Sequence, residues 1–139
     1  MKPIARLTTG AIALALLAAP ALAQQPAAAQ PKFDSKGIAR TETVRHAFDS
    51  ERDAIQVRVD FAPGASFPKH SHPGVEIAYV LSGTIEYEMD GKTVRLQAGE
   101  SLYIPAGAVH SAKNIGNGII SELATYVVEK NQPIVILAK

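Results

Sequence analysis

The sequence predicts an all-β barrel or sandwich built as one domain, and three observations carry the prediction. Apolar residues alternate with polar ones from Ala54 onward, glycines recur at turn spacing, and no long segment shows a helical period. Ile55, Val57, Val59 and Phe61 alternate with Gln56, Arg58 and Asp60, which is the two-residue period of a half-buried strand. Ile85, Tyr87 and Met89 repeat the pattern against Glu86 and Glu88. Gly64, Gly74, Gly83, Gly91, Gly99, Gly107 and Gly116 fall near the ~8 to 12 residue spacing of turns between short strands. Asp90-Gly91 is the dipeptide of a two-residue hairpin, because both positions of that turn require a positive φ.

These signals place strands at 54–62, 67–72, 75–82, 84–90, 92–97, 100–105, 108–114 and 119–129. Pro133, followed by Ile134, Val135, Ile136 and Leu137, reads as a final strand with few polar residues. Such a strand either joins the sheet as an edge or faces a second copy of the chain, so a homodimer is one of two expectations.

The first residues follow a different logic. Lys2 and Arg6 precede an apolar run from Ala11 to Ala19, then Pro20 and Ala21-Leu22-Ala23. That order is the pattern of a cleavable secretory signal peptide over 1–23, cut after Ala23. The run is shorter than the ~18 residues of a membrane-spanning helix, so no stable membrane insertion is expected. Residues 24–37 are rich in Ala, Gln and Pro, with Phe33 the one large apolar side chain, and read as a flexible linker. The barrel is then expected over 38–139, in a mature protein that is soluble and either periplasmic or secreted.

Charge narrows the partners. Removing 1–23 takes Lys2 and Arg6 from the 14 basic residues, leaving 12 against 13 acidic ones and a formal charge of −1. Neither nucleic acid nor an anionic membrane is favoured by that balance. Cysteine is absent, so stability rests on the core or on a metal rather than on disulfides.

The chemistry is concentrated between Gly64 and Asn114. His70 and His72 lie two apart, so on a strand both imidazoles project from one face, and a turn at Pro73-Gly74 lets the next strand present Glu76 beside them. His110 can close the site from a more distant strand. Imidazoles with a carboxylate suit one divalent first-row transition ion (zinc, copper, nickel, iron or manganese) and leave positions open for water, a small-molecule substrate or dioxygen. Glu76 either binds the ion or stands beside it as an acid or base. His46, outside this pattern, reads as an ordinary solvated or packed side chain.

The stretch Gly64…His70-Ser-His72…Glu76…Gly83 resembles the first motif of the cupin superfamily at every fixed position, and Gly99…Pro105-Ala-Gly107…His110…Asn114 resembles the second. The resemblance implies a double-stranded β-helix, or jelly-roll barrel, with His70, His72, Glu76 and His110 as metal ligands. Gly83, Gly99 and Gly107 fall where the chain must reverse, Pro105 suits an edge or turn, and Asn114 can bond turn backbone. Tyr79, Tyr87, Tyr103, Ser66 and Lys113 lie near the ligand-bearing strands; register decides whether any faces the ligands, and ordinary wall or surface packing is the default for each.

Small cupins include dioxygenases acting on flavonols, diketones and related enols, as well as isomerases, lyases, decarboxylases and non-catalytic binders. The fold does not choose among them. The leading expectation is dioxygenase-like chemistry on an enolic or phenolic substrate. The alternatives are a redox-neutral isomerase or lyase acting on a sugar or keto acid, and a metal-dependent small-molecule-binding protein without turnover.

Overall fold

The computed structural model describes residues 30–139. The expected signal peptide, and 24–29 of the expected linker, lie outside the described residues. Among the described residues there is no helix; the chain forms β1 (Ile38–Ala47), β2 (Arg52–Phe61), β3 (Ser66–Ser71), β4 (Gly74–Ser82), β5 (Thr84–Met89), β6 (Lys92–Gln97), β7 (Ser101–Ile104), β8 (His110–Asn114), β9 (Ile120–Glu129) and β10 (Ile136–Leu137).

Two five-stranded antiparallel sheets face each other, one in the order β1-β2-β9-β4-β7 and the other β10-β3-β8-β5-β6. Successive strands from β2 to β9 shuttle between the sheets, except for the β5–β6 hairpin, and this is the jelly-roll arrangement. The alternation in β2 turns Ile55, Val57, Val59 and Phe61 inward, each 1–3 % exposed. They pack with Ile38, Val80, Ile85, Ile104, Ile120 and Val128 between the sheets, each large apolar side chain contributing about 1.5–3 kcal/mol of burial. The Asp90-Gly91 turn is present, with φ of 52° and 71°, and leaves Met89 opposite Lys92.

Gly74 shows why one position admits no side chain. A Cβ there would lie 2.1 Å from the Val127 carbonyl oxygen, because β4 begins pressed against the backbone of β9. This close approach lets the chain cross from one sheet to the other directly after His72.

Two expectations are corrected. β1 was not anticipated: beyond Ile38 and Ala39 all its residues are exposed, and with polar residues on both faces its sequence carries no alternation. It is held by backbone pairing to β2, through a register shift between Glu42 and Val44, with Arg45 bridging Glu42 and Asp53. The final strand is shorter than expected. Only Ile136 and Leu137 pair, as an edge beside β3, and both side chains remain exposed.

Candidate metal centre

His70 and His110 are direct cross-strand partners on β3 and β8. His72 follows β3 at the crossing between sheets, and Glu76 comes from β4 in the opposite sheet, flanked by Tyr126 of β9 and Ile104 of β7. The ligand-bearing strands therefore differ from the expected picture in two respects. Glu76, expected beside the histidines on the next strand, faces them across the barrel interior, and His110, expected from a more distant strand, comes from the one adjoining His70. All four side chains are buried, at 2–5 % exposure, and one donor atom from each lies within 4.8 Å of the others.

The hydrogen bonds fix which ring nitrogens face inward. His70 Nδ1 lies 2.7 Å from the Pro68 carbonyl, His110 Nδ1 3.0 Å from the Ala108 carbonyl, and His72 Nδ1 2.5 Å from the Ile134 carbonyl. A carbonyl only accepts, so each Nδ1 carries a proton and donates it. In the neutral rings each Nε2 is then a bare lone pair.

Two of these nitrogens, those of His72 and His110, converge on a carboxylate. Glu76 Oε2 is 2.7 Å from His72 Nε2 and 3.4 Å from His110 Nε2. His72 Nε2 and Glu76 Oε2 are nonetheless buried without a hydrogen-bond partner. Two acceptors this close, with no proton aligned between them, repel unless a cation sits among them. Two donors bound to one ion at ~2.1 Å stand ~3 Å apart in neighbouring positions and ~4.2 Å apart in opposite ones. The 2.7 and 3.4 Å spacings lie near the lower end of that range, and the 4.8 Å reach of the whole set exceeds its upper end by about half an ångström, so with small shifts the set could hold a single ion.

Electrostatics agree with a metal-ready set. Burial drives the His70 imidazole down to about 4, keeping it neutral. Burial would raise the Glu76 carboxyl, and only positive charge at the His110 and His72 positions beside it lowers it, so a cation among these donors is what keeps Glu76 the anion of the group.

The surroundings divide the other candidate residues. Tyr79 and Tyr103 point outward, at 42 % and 58 % exposure, and Ser66 and Lys113 are exposed cross-strand partners on the outer face. His46 lies exposed on β1, apart from the cluster. Tyr87 alone among the five faces the interior, and its hydroxyl donates to Glu122. Asn114 bonds backbone as expected, its amide donating to the carbonyls of Phe61, Ala62 and Gly118.

Four neighbours of the cluster were not anticipated. The Tyr126 ring lies 4.9 Å from that of His72, and Phe67 4.6 Å from His70. Ile134 supplies the carbonyl that His72 bonds. Glu122 is buried on the inner wall, and burial, together with the Glu76 anion, pushes its carboxyl up to about 8. Glu122 is therefore a neutral acid below that pH, close to the site yet outside the ligand set.

A protein-family model described as a cupin domain matches residues 57–127. Germin-like protein 1-1 of Oryza sativa subsp. japonica is 38 % identical over 77 residues, covering 50 % of this chain and 35 % of its own length. The oxalate-binding protein of Thermotoga maritima is 35 % identical over 71 residues, covering 50 % of this chain and 59 % of its own. The chain thus spans between about a third and three-fifths of these curated relatives.

Among solved structures, a double-stranded β-helix protein from Klebsiella pneumoniae superposes with a TM-score of 0.63 at 22 % identity, over 78 % of this chain and 90 % of that one. A recombinant oxalate oxidase in complex with glycolate gives 0.60 at 25 % identity, over 75 % and 56 %. The family match spans half of the sequence and includes all four clustered residues, and the chain belongs to the cupin domain family.

Proposed function

We propose that His70, His72, Glu76 and His110 hold one divalent transition-metal ion, and that the loaded site acts on a small organic molecule bearing an enolic or phenolic oxygen, with dioxygenase-like chemistry. The observation that carries the proposal is the unsatisfied pair of acceptors, His72 Nε2 and Glu76 Oε2, 2.7 Å apart and buried, with every Nδ1 already committed to a carbonyl. When bound, the ion supplies Lewis acidity that lowers the pKa of a coordinated oxygen and, if redox-active, electron exchange with dioxygen.

The chain's own residues do the rest. Three imidazoles locked by backbone carbonyls present fixed donors, and Glu76, while detached from the ion, accepts the proton of an incoming enol or phenol. Tyr126 and Phe67 pack against His72 and His70 and shield those rings. An oxalate oxidase among similar structures supports oxygen chemistry on a small oxygen-rich molecule. The Thermotoga relative, named for binding oxalate, favours a second reading in which a small ligand is bound without turnover.

The experiment is elemental analysis of natively purified protein coupled to an oxygen-uptake screen over enols, catechols and flavonols. Uptake abolished in His110→Ala supports the enzyme. Tight binding with the ligand recovered unchanged and no uptake supports the second reading, and conversion without uptake supports a redox-neutral isomerase or lyase.

The signal-peptide pattern adds that metal is acquired outside the cytosol, after passage through the secretory channel. There the affinity order of such donors favours copper and zinc over iron and manganese.

A further inference from the structure

The three histidines of the cluster are oriented in two different ways. His70 and His110 each donate Nδ1 to a carbonyl two residues back in their own chain segment, Pro68 and Ala108. Those bonds form within β3 and within the turn that leads into β8, so they last as long as that local chain geometry does. His72 has no such local partner: its Nδ1 bonds the carbonyl of Ile134, 62 residues away.

Ile134 belongs to a segment with few attachments. Ile136 and Leu137 pair with Ser71 and His70, and the Ala138 amide donates to the Lys69 carbonyl at 2.9 Å. The Ile134 side chain rests partly buried against the core, but Ile136 and Leu137 are 43 % and 58 % exposed. A two-residue ladder with so little apolar burial sits at the low end of local stability. A surface hollow outside His72, lined by Pro73, Gly107, Val127 and Ile136 among others, runs along this segment, so undocking would open the His72 side of the cluster to solvent.

We infer that the C-terminal segment from Pro133 to Ala138 is a strap that positions His72, so that metal binding at the cluster and docking of the strap on β3 are one coupled equilibrium. The inference rests on the metal-binding reading above. With the strap docked, the Ile134 carbonyl fixes the Nδ1–H tautomer and aims Nε2 at Glu76. With it released, His72 can rotate and exchange tautomers, and one of the four donors is no longer held in place. Coupling between two equilibria is reciprocal, so the factor by which the docked strap tightens metal is the factor by which metal tightens the strap.

The test uses Zn2+ alone as probe. Calorimetric titration compares the full chain with a chain ending at Asn131, and hydrogen exchange in the full chain follows the backbone amides of 135–138 with and without Zn2+. Loss of the outer partner of a metal-bound histidine typically weakens the metal ~10- to 100-fold. We expect the shortened chain to bind Zn2+ weaker by that factor, and Zn2+ to slow exchange in the strap by a matching one. Should the shortened chain fail to fold, the exchange measurement decides alone. Equal Zn2+ affinity in both chains, or strap exchange indifferent to Zn2+ in a full chain that binds it, overturns the strap while leaving the metal site standing. A full chain that binds no Zn2+ or other divalent transition ion overturns the metal reading and the strap with it.

Discussion

Replacing Glu122 by Gln should make the metal-free protein more stable at neutral and alkaline pH and remove much of its pH dependence. Glu122 is buried on the inner wall, and its hydrogen-bond partner is the Tyr87 hydroxyl. Burial comes first among the causes that carry its carboxyl from an ordinary 4.5 up to about 8, followed by the charge of Glu76.

A carboxyl whose folded value is raised binds its proton more tightly folded than unfolded. The stability this confers is complete below the unfolded value and is lost as pH climbs through the folded one. Between pH 5 and pH 8 the unfolded chain ionises almost fully while the folded group stays largely protonated, and linkage assigns that difference about 3 kcal/mol. Gln keeps the carbonyl that accepts from Tyr87 and carries no charge, so Glu122→Gln escapes the loss. The assay is urea denaturation of both proteins at pH 5 and pH 8 with chelator present. Other titrating groups are common to both and cancel in the comparison. The Gln variant should gain about 3 kcal/mol on the wild type over that interval. Parallel pH profiles would show that Glu122 ionises normally in the fold.

Further outcomes follow from the same geometry. Chelation should lower the melting temperature, since an ion at a hundredfold excess over its Kd contributes about 2.7 kcal/mol, and His72→Ala should melt alike with and without metal; thermal scans of both proteins check this. Gly74→Ala places a Cβ 2.1 Å from the Val127 carbonyl oxygen, which should cost at least about 2 kcal/mol in a denaturant titration and weaken metal binding by displacing Glu76. Tyr103→Ser, on the exposed outer face, should leave Zn2+ affinity unchanged and stability within ~0.5 kcal/mol. Protein recovered from its native compartment should carry zinc, copper or nickel at least as often as iron by elemental analysis, and predominantly iron-loaded protein would contradict metallation outside the cytosol.

How much of this was legible in the sequence depends on how locally each feature is encoded. β5, β6 and the turn between them were readable because Asp90-Gly91 and the flanking alternation state the hairpin within a dozen residues. His70, His72, Glu76 and His110 were readable because their spacing survives in one dimension. Their arrangement was not: the crossing from sheet to sheet after His72 depends on Gly74 lying against Val127, a contact between distant segments.

β1 was illegible because an edge strand held by backbone pairing and ion pairs needs no hydrophobic period. Glu122 escaped notice for a related reason. Both faces of β9 mix apolar and polar residues, Ile120, Glu122, Ala124 and Tyr126 on one and Ser121, Leu123, Thr125 and Val127 on the other, so alternation alone does not say which is inside. The Ile134 carbonyl could not have been found at all, since a backbone acceptor carries no residue signature.

The most direct test of the metal centre is X-ray absorption of the protein loaded with a single equivalent of Zn2+, read together with the stoichiometry of binding. A four-residue centre gives one ion per chain, nitrogen and oxygen neighbours at about 2.0–2.2 Å, and the multiple-scattering signature of three imidazoles, reduced to two in His110→Ala. A site with fewer than three imidazoles, or a spectrum unchanged by that substitution, would contradict it.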